Sequence, residues 1–448
     1  MDHQTLMQVQ VNRDGVVNRR TFFRNVAAGA AGLGLLGWKD ALTLHADELR
    51  RQGKACILLF MRGGPSQFET FDPKPGHENG GPTPAIDTAV PGIRLAEGWT
   101  NVARRMQDIA IIRSMNNREG EHQRAVYQMH TGYIPAGGVR HPSIGSLVAS
   151  EIAPRDFDLP HFVSITQNRF ATIGSGFLGM AYAPFAVTNP NAMPGNVELP
   201  GSVTTTRFGR RMSLMSDLER DFAEAGGAHP VEQHQHLYDS AANMVRSPRI
   251  RAFDLSQETS AVRDRYGRGA AGIGLGGGGP ANGFSFGQGC LLARRLIETG
   301  VTFVEVELNG WDTHQDNFEQ CKRLSTIADA GFASLVQDLR ERGRLDRTLV
   351  ILMGEFGRTP RINPNNGRDH YPRAFSMALA GGGIRGGRVI GATSAGGNDV
   401  TQRPVGVADL FCSFCRALDI NPRKENMTPI GRPIRIVDGG EAVRELFA

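Results

Sequence analysis

The sequence carries little net charge of either sign for its length of 448 residues. Fifty Lys/Arg against 45 Asp/Glu give +5. Residues 1–46 hold five Lys/Arg and three Asp/Glu, which leaves +3 for the remainder. No basic run with interleaved aromatic residues occurs. Because nucleic-acid-binding domains concentrate positive charge on one face or stripe, we expect no nucleic-acid partner.

Cysteine is also scarce. The chain has five cysteines, an odd number that argues against a complete disulfide framework. Cys412 and Cys415 have the C-x-x-C spacing of redox and metal sites, but they lie inside the amphipathic helical pattern VADLFCSFCRALDI, with no second pair elsewhere. We therefore interpret both thiols as core residues.

The N-terminus lacks an apolar run long enough to span a bilayer comfortably. Its stretch NRRTFFRNVAAGAAGLGLLGW, residues 18–38, resembles a twin-arginine export signal. The alternative is an amphipathic N-terminal helix. The signal interpretation predicts that residues 1–46 form an export segment and that the protein is periplasmic or in the cell envelope. An uncleaved signal would tether it to a membrane.

What the chain does contain is glycine, with 56 residues, which implies many tight turns and long ordered loops. Its 40% hydrophobic and 21% charged residues are typical of globular domains. The length suits one large α/β domain or two ordinary ones.

Strand-like apolar runs alternate with helical patterns along most of the chain. The strand-like runs are 55–61, 108–115, 159–166, 301–307, 348–357 and 374–383, and the helical patterns include 141–152, 287–300, 316–343 and 407–420. This alternation predicts an α/β fold with a doubly wound, mostly parallel sheet and helices on both faces. Residues 168–285 have fewer strand signals. We interpret them as an inserted, mainly helical and loop cap within a domain spanning 47–448.

Polar side chains follow several of the predicted strands. Asp312 and His314 stand in GWDTHQDN, directly after the run 301–307, and Glu355 follows the next strand. His370 comes just before another apolar run. Ligands of such sheets bind at the carboxyl ends of the strands, and a carboxylate beside an imidazole suits Zn²⁺, Mn²⁺ or iron. The alternatives are ordinary: a helix-capping Asp, a loop His, a Glu paired with a nearby arginine, and a buried His bonded to backbone.

Four motifs together resemble one known family. LLFMRGGPSQFETFDPKP, GWDTH, GEFGRTP and GRDHYP are similar to the family called domain of unknown function 1501, inside the alkaline phosphatase-like superfamily. The resemblance covers nearly all of the chain beyond the predicted signal. It implies a doubly wound core with metal at the carboxyl edge and hydrolysis of phosphate or sulfate esters.

The resemblance also implies site residues and a cofactor. Asp312, His314 and His370 fall on one metal site, and Glu355 falls where the superfamily has a further carboxylate ligand. The implied cofactor is one divalent ion, Zn²⁺ first, with Mn²⁺, iron or Ca²⁺ as alternatives. The implied substrate is a small-molecule or glycan ester.

This sequence departs from the superfamily pattern at three places, the first being Phe356 after Glu355, where the superfamily has an imidazole. Arg62-Gly63-Gly64 stands where the superfamily has a metal-binding Asp, and the nucleophile position falls near Gly120, where no Ser, Thr or Cys stands. The nearby residues that could replace the missing carboxylate or hydroxyl are Gln67, Glu69, Asp72, Ser66 and Ser114.

An ion that acidifies water would remove the need for a protein hydroxyl. His122 is then the candidate general acid or base, although a plain surface position at a helix N-terminus is an equal alternative. Arg62, Arg124 and Arg358 are the candidates for holding anionic oxygens, and Arg62 could replace a missing second ion.

Two other hypotheses remain open at this point. The protein could be an inactive hydrolase that binds an anionic glycan or a protein partner in the former cleft, since fold does not decide function. Alternatively, the metal site could only brace the loops.

Overall fold

The computed structural model describes residues 53–154, 157–167, 172–267 and 285–447. The predicted export segment 1–46 and the Gly-rich stretch 268–279 lie outside these residues. In the described part the strands are β1 (Ala55–Arg62), β2 (Ala85–Asp87), β3 (Arg94–Ala96), β4 (Ile109–Met115), β5 (Phe162–Ile165), β6 (Phe185–Val187), β7 (Phe303–Asn309), β8 (Thr348–Met353), β9 (Gly357–Arg358), β10 (His370–Tyr371), β11 (Phe375–Ala380), β12 (Arg388–Ile390), β13 (Ala392–Thr393), β14 (Val400–Gln402), β15 (Glu425–Met427) and β16 (Pro433–Arg435). The α-helices there are α1 (Thr100–Arg104), α2 (His122–Thr131), α3 (Ile144–Ile152), α4 (Thr205–Phe222), α5 (Ala228–Arg246), α6 (Ser260–Arg265), α7 (Phe286–Thr299), α8 (Asn317–Glu341) and α9 (Val407–Ala417).

Eight strands form the main sheet in the order β12-β4-β11-β8-β1-β7-β5-β6. β11 pairs antiparallel with both neighbours, and the other pairs in this sheet are parallel. The prediction of a mostly parallel, doubly wound sheet is therefore confirmed.

The sheet is buried on both faces, which explains why β1 is a continuous apolar run rather than an alternating one. Ile57, Leu59 and Met61 pack into a core that includes side chains of α7 and α8. Leu58 and Phe60 pack into a second core with side chains of α2, α3 and α9. All five cysteines are buried and free, so the core interpretation of the C-x-x-C pair is confirmed.

The reversed strand β11 decides where His370 lies. β10, which contains His370, pairs with β9 just after β8 ends, and the chain then enters β11 antiparallel to β8. The start of β11 therefore lies at the edge where β1, β7 and β8 end. A parallel strand in this place would have started at the opposite edge and carried His370 away from Asp312.

The described part of the predicted insertion, residues 172–267, contains β6 and the helices α4, α5 and α6. α4 has no buried side chain, and its Leu214, Leu218 and Phe222 are exposed. Within the described ranges, no helix is both long enough and apolar enough to cross a membrane.

Candidate metal centre

Loops from distant parts of the chain meet at the carboxyl edge of the sheet. Asp312 and His314 follow β7, and His370 lies in β10. His122 is the first residue of α2. Glu121 caps this helix, because its carboxylate accepts hydrogen bonds from the backbone N–H groups of Gln123 (3.0 Å) and Arg124 (2.9 Å). This arrangement brings together three histidines and one aspartate from three separate segments of the chain.

The Nε2 atoms of the three histidines surround one carboxylate oxygen. Asp312 Oδ1 lies 3.3 Å from His122 Nε2, 3.2 Å from His314 Nε2 and 3.4 Å from His370 Nε2. The Nε2 atoms of His314 and His370 are 3.0 Å apart. The predicted ligands Asp312, His314 and His370 are therefore brought together, and His122 joins them.

The outer nitrogen of each histidine has its own acceptor. His122 Nδ1 lies 2.7 Å from Glu355 Oε1, His314 Nδ1 lies 3.0 Å from Asp369 Oδ1, and His370 Nδ1 lies 2.8 Å from the Gly120 carbonyl. An ionised carboxylate or a carbonyl only accepts, so we assign the proton of each neutral ring to Nδ1. Each Nε2 lone pair is then available at the centre, as in metal sites whose histidines are oriented by outer partners.

These atoms fit a divalent first-row ion. Zn–N bonds of roughly 2.0–2.1 Å place tetrahedral ligand atoms about 3.3–3.4 Å apart, close to the spacing around Asp312 Oδ1. In addition, the 3.0 Å contact between two Nε2 lone pairs, on His314 and His370, is repulsive unless a cation or a proton lies between them. Imidazole and carboxylate together suit Zn²⁺, Mn²⁺ or iron.

The electrostatics of the centre keep Asp312 ionised. Burial raises the pKa of its carboxyl, but the neighbouring His122, His370 and Arg358 side chains outweigh burial and hold the pKa well below its usual range. Burial lowers the pKa of His122, and the carboxylates of Asp312 and Glu355 outweigh it and raise the pKa to about 9. A cation that binds at this centre competes with the proton on His122, so cation binding releases that proton.

Arg358 does not take the role that its position in the sequence predicted. Its side chain is completely buried and donates to the carbonyls of Gly64 (2.8 Å), Arg368 (3.0 Å), Trp311 (3.2 Å) and, more closely, Gly63. It also donates to the Asp312 carboxylate at 2.6 Å. Its donors are committed to protein acceptors, so it joins the site loops and is not placed to hold substrate oxygens.

Arg62 and Arg124 also have protein partners. At the end of β1, Arg62 Nε lies 2.8 Å from Oε1 of Glu307, which lies in β7. Arg124 points to the surface and forms two 2.9 Å hydrogen bonds with Glu119. Among the described contacts neither guanidinium touches the histidine cluster, so the predicted anion-holding roles find no direct support in the geometry.

The family model described as protein of unknown function (DUF1501) matches residues 53–447. The chain belongs to this family. No curated protein matches it.

Solved structures similar to the DUF1501 chain share little sequence with it. The lipoteichoic acid synthase LtaP from Listeria monocytogenes is 9% identical over 83% of this chain and 73% of its own, with a TM-score of 0.37. The PsFucS1 sulfatase from Pseudoalteromonas sp. is 11% identical over 84% and 70%, with a TM-score of 0.34. The phosphonate monoester hydrolase of Agrobacterium radiobacter is 13% identical over 88% and 77%, with a TM-score of 0.31. Likeness at this level carries no activity over to this chain.

The candidates for a replacement carboxylate in the DUF1501 chain have other partners. Gln67 exchanges two 2.9 Å hydrogen bonds with the backbone of Arg358, Glu69 pairs with Arg368 at 2.9 Å, and Asp72 pairs with a lysine two residues on at 3.0 Å. All three are buried, so they hold the loop after β1 in place.

The candidate hydroxyls are not accessible either. Ser66 and Ser114 are completely buried, and Ser114 lies inside β4. Neither can reach a substrate bound at the surface.

The residue that sequence reasoning missed is Asp369, the acceptor for His314 Nδ1. Its position beside His370 in GRDHYP was the available signal, since outer carboxylates commonly accompany metal-binding histidines.

Gly63 in the DUF1501 chain sits where three site loops touch. It has φ +118°, and a Cβ there would lie 2.4 Å from the Asp312 backbone nitrogen. We expect Gly63→Ala to destabilise the protein by at least ~2 kcal/mol, because the left-handed backbone and the contact both oppose a side chain. Urea unfolding measures the loss in the free energy of unfolding. Gly343→Ala is the control: its φ is also positive, but nothing lies within 4 Å of an added Cβ, so about 1 kcal/mol is expected. Equal losses in the two variants would show that the contact is unimportant.

Proposed function

We propose that this protein is an exported, metal-dependent hydrolase of phosphate or sulfate esters, acting with one divalent ion, Zn²⁺ first, held by Asp312, His314 and His370. The observation that carries the proposal is the convergence of imidazole Nε2 atoms on Asp312 Oδ1 while their outer nitrogens are bonded to fixed acceptors. The resemblance to an ester-hydrolysing superfamily supplies the reaction class.

When bound, the ion would polarise an ester oxygen and acidify water near neutral pH. Side chains and backbone groups of the protein orient the residues that would hold the ion. Asp369 and the Gly120 carbonyl hold two imidazoles in the required tautomer, and Arg358 holds the Asp312 carboxylate. Since Ser66 and Ser114 are buried, we propose water rather than a side-chain hydroxyl as the nucleophile.

The site is open on one side, which suits a bulky ester. The side chains of Asp312 and His314 are 48% and 45% exposed, whereas that of His370 is 26% exposed. A substrate would therefore approach over Asp312 and His314. Export is part of the same proposal, supported by the twin-arginine pattern of residues 18–38; cell fractionation tests it.

Chelation should remove both the ion and the activity. The full chain, purified without added metal, should contain about one divalent ion per chain and hydrolyse an aryl phosphate or aryl sulfate. Dialysis against a chelator should abolish turnover, and Zn²⁺ should restore it, because the ion supplies the activated water. Elemental analysis and a colorimetric assay measure this. His236→Ala, at an exposed position of α5, should behave like the wild type.

The two remaining hypotheses predict different results from the same preparation. A folded protein with no bound metal and no turnover would support a binding protein for an anionic glycan or a protein partner. Bound metal that is needed for stability, without turnover of any ester, would support a purely structural site.

A further inference from the structure

His122 occupies a position that the proposed function does not yet use. It is the first residue of α2 and packs edge-on against His370, with ring centroids 4.4 Å apart and planes at 73°. Phe356 lies 4.9 Å from His122 and 4.7 Å from His370 between ring centroids. The three rings therefore pack against one another, and His122 Nε2 faces Asp312 Oδ1 at 3.3 Å.

Glu355 fixes the outer side of this ring. Its carboxylate is completely buried and receives the Gly63 N–H at 2.9 and 3.2 Å from its two oxygens. Its Oε1 also lies 2.7 Å from His122 Nδ1. Both oxygens are thus engaged with the backbone of one loop and the imidazole of another. The Glu355 carboxylate could bind an ion beside Asp312 only by losing its hydrogen bonds with Gly63 and His122.

The inner nitrogen of His122 is left without a hydrogen bond. Nε2 is buried and has no hydrogen-bond partner in the described structure, although Asp312 Oδ1 lies at 3.3 Å. Leaving such an atom unsatisfied costs about 1–3 kcal/mol. Potential ligand atoms of His122, Asp312 and His370 all lie within 4.8 Å of one another. An ion among them would displace any proton on Nε2 and bind through its lone pair.

We propose that His122 Nε2 is a further ligand of the same ion and that Glu355 is its positioning residue. The inference rests on the proposed function and exchanges two roles expected from the sequence, in which Glu355 binds metal and His122 transfers protons. The ligand set becomes three imidazoles and one carboxylate. It also explains why no hydroxyl is needed near Gly120: the start of α2 supplies a ligand instead of a nucleophile.

X-ray absorption at the zinc edge tests the inference directly by counting imidazole ligands. The Zn²⁺-loaded full chain should show three, and His122→Ala should show two. Competition with a chelating indicator should give Zn²⁺ affinity weaker by at least about 10–100-fold, the loss typical for outer partners of metal ligands. If His122→Ala folds poorly, His122→Gln provides the same test with more of the side-chain volume retained.

Glu355→Gln separates positioning from ligation. The amide keeps the size of the side chain but removes its charge, so we expect three imidazoles to remain while Zn²⁺ affinity falls about 10-fold or more. A purely structural role of Glu355 would lower unfolding stability and leave the affinity of the folded protein unchanged. His236→Ala, on the exposed face of α5, is the matched control for both measurements.

The outcomes distinguish this inference from the proposed function. Two imidazoles in the wild type, with affinity unchanged in His122→Ala, would overturn the inference and leave a three-ligand centre with His122 as an acid or base. A folded wild type that binds no Zn²⁺ would remove the proposed function together with the inference.

Discussion

Replacing Asp312 with asparagine should empty the centre and lower turnover by at least about 10³-fold. Its Oδ1 is the atom that the three Nε2 nitrogens share, at 3.2–3.4 Å. Asparagine keeps the shape but removes the charge that attracts the ion. Loss of a Lewis acid costs several kcal/mol of transition-state stabilisation, and about 4 kcal/mol corresponds to that factor.

The control for this variant lies in the same loop. Asp316 precedes α8 and makes no side-chain capping hydrogen bond. Its backbone is left-handed, at φ 48°, a conformation that asparagine also tolerates. Asp316→Asn should therefore keep both its metal and its activity. Full metal content in Asp312→Asn, measured by elemental analysis, would refute the site.

Replacing Arg358 with alanine should destabilise the domain by about 3–5 kcal/mol, because several buried carbonyls lose their donor. The side chain is completely buried, and it donates to the carbonyls of Gly64 and Trp311 in two separate loops. It also balances the charge of Asp312 at 2.6 Å. Alanine would leave the buried carbonyl acceptors unpaired, at about 1–3 kcal/mol each, and would also remove the cation beside the half-exposed Asp312 carboxylate.

Urea unfolding of the metal-free protein measures this effect without contributions from the ion. Arg358→Lys should recover little of the lost stability, since a point-like ammonium cannot reproduce the planar fork of a guanidinium. Arg361→Ala, three residues on and exposed, should change stability by less than about 0.5 kcal/mol. Wild-type stability in Arg358→Ala, with only substrate affinity reduced, would restore the anion-binding role expected from the sequence.

The sequence was informative where one pattern has one physical meaning. The continuous apolar run of β1 predicts a strand buried on both faces of the sheet, and the structure confirms it. The polar residues after β7 and β8 lie at the carboxyl edge because parallel strands end there. The grouping of Asp312, His314 and His370 needed the family motifs as well, because an apolar run such as β11 does not reveal its own direction.

Roles that depend on a few ångströms could not be obtained from residue types. By residue type alone, Glu355 and His122 could each be a metal ligand or an acid–base group. The observations that distinguish their proposed roles are the 2.7 Å contact between Glu355 Oε1 and His122 Nδ1 and the burial of the Glu355 carboxylate. Arg358 is similar: a guanidinium beside a site suggests anion binding until its acceptors are seen to be backbone carbonyls.

The central position of β1 constrains how this chain is made. β1 leaves the ribosome well before its partners β7 and β8, which come from residues 303–309 and 348–353. An apolar strand therefore waits with both edges unpaired while most of the chain is synthesised, a situation in which aggregation competes with folding. The centre is likewise incomplete until residue 370 has emerged.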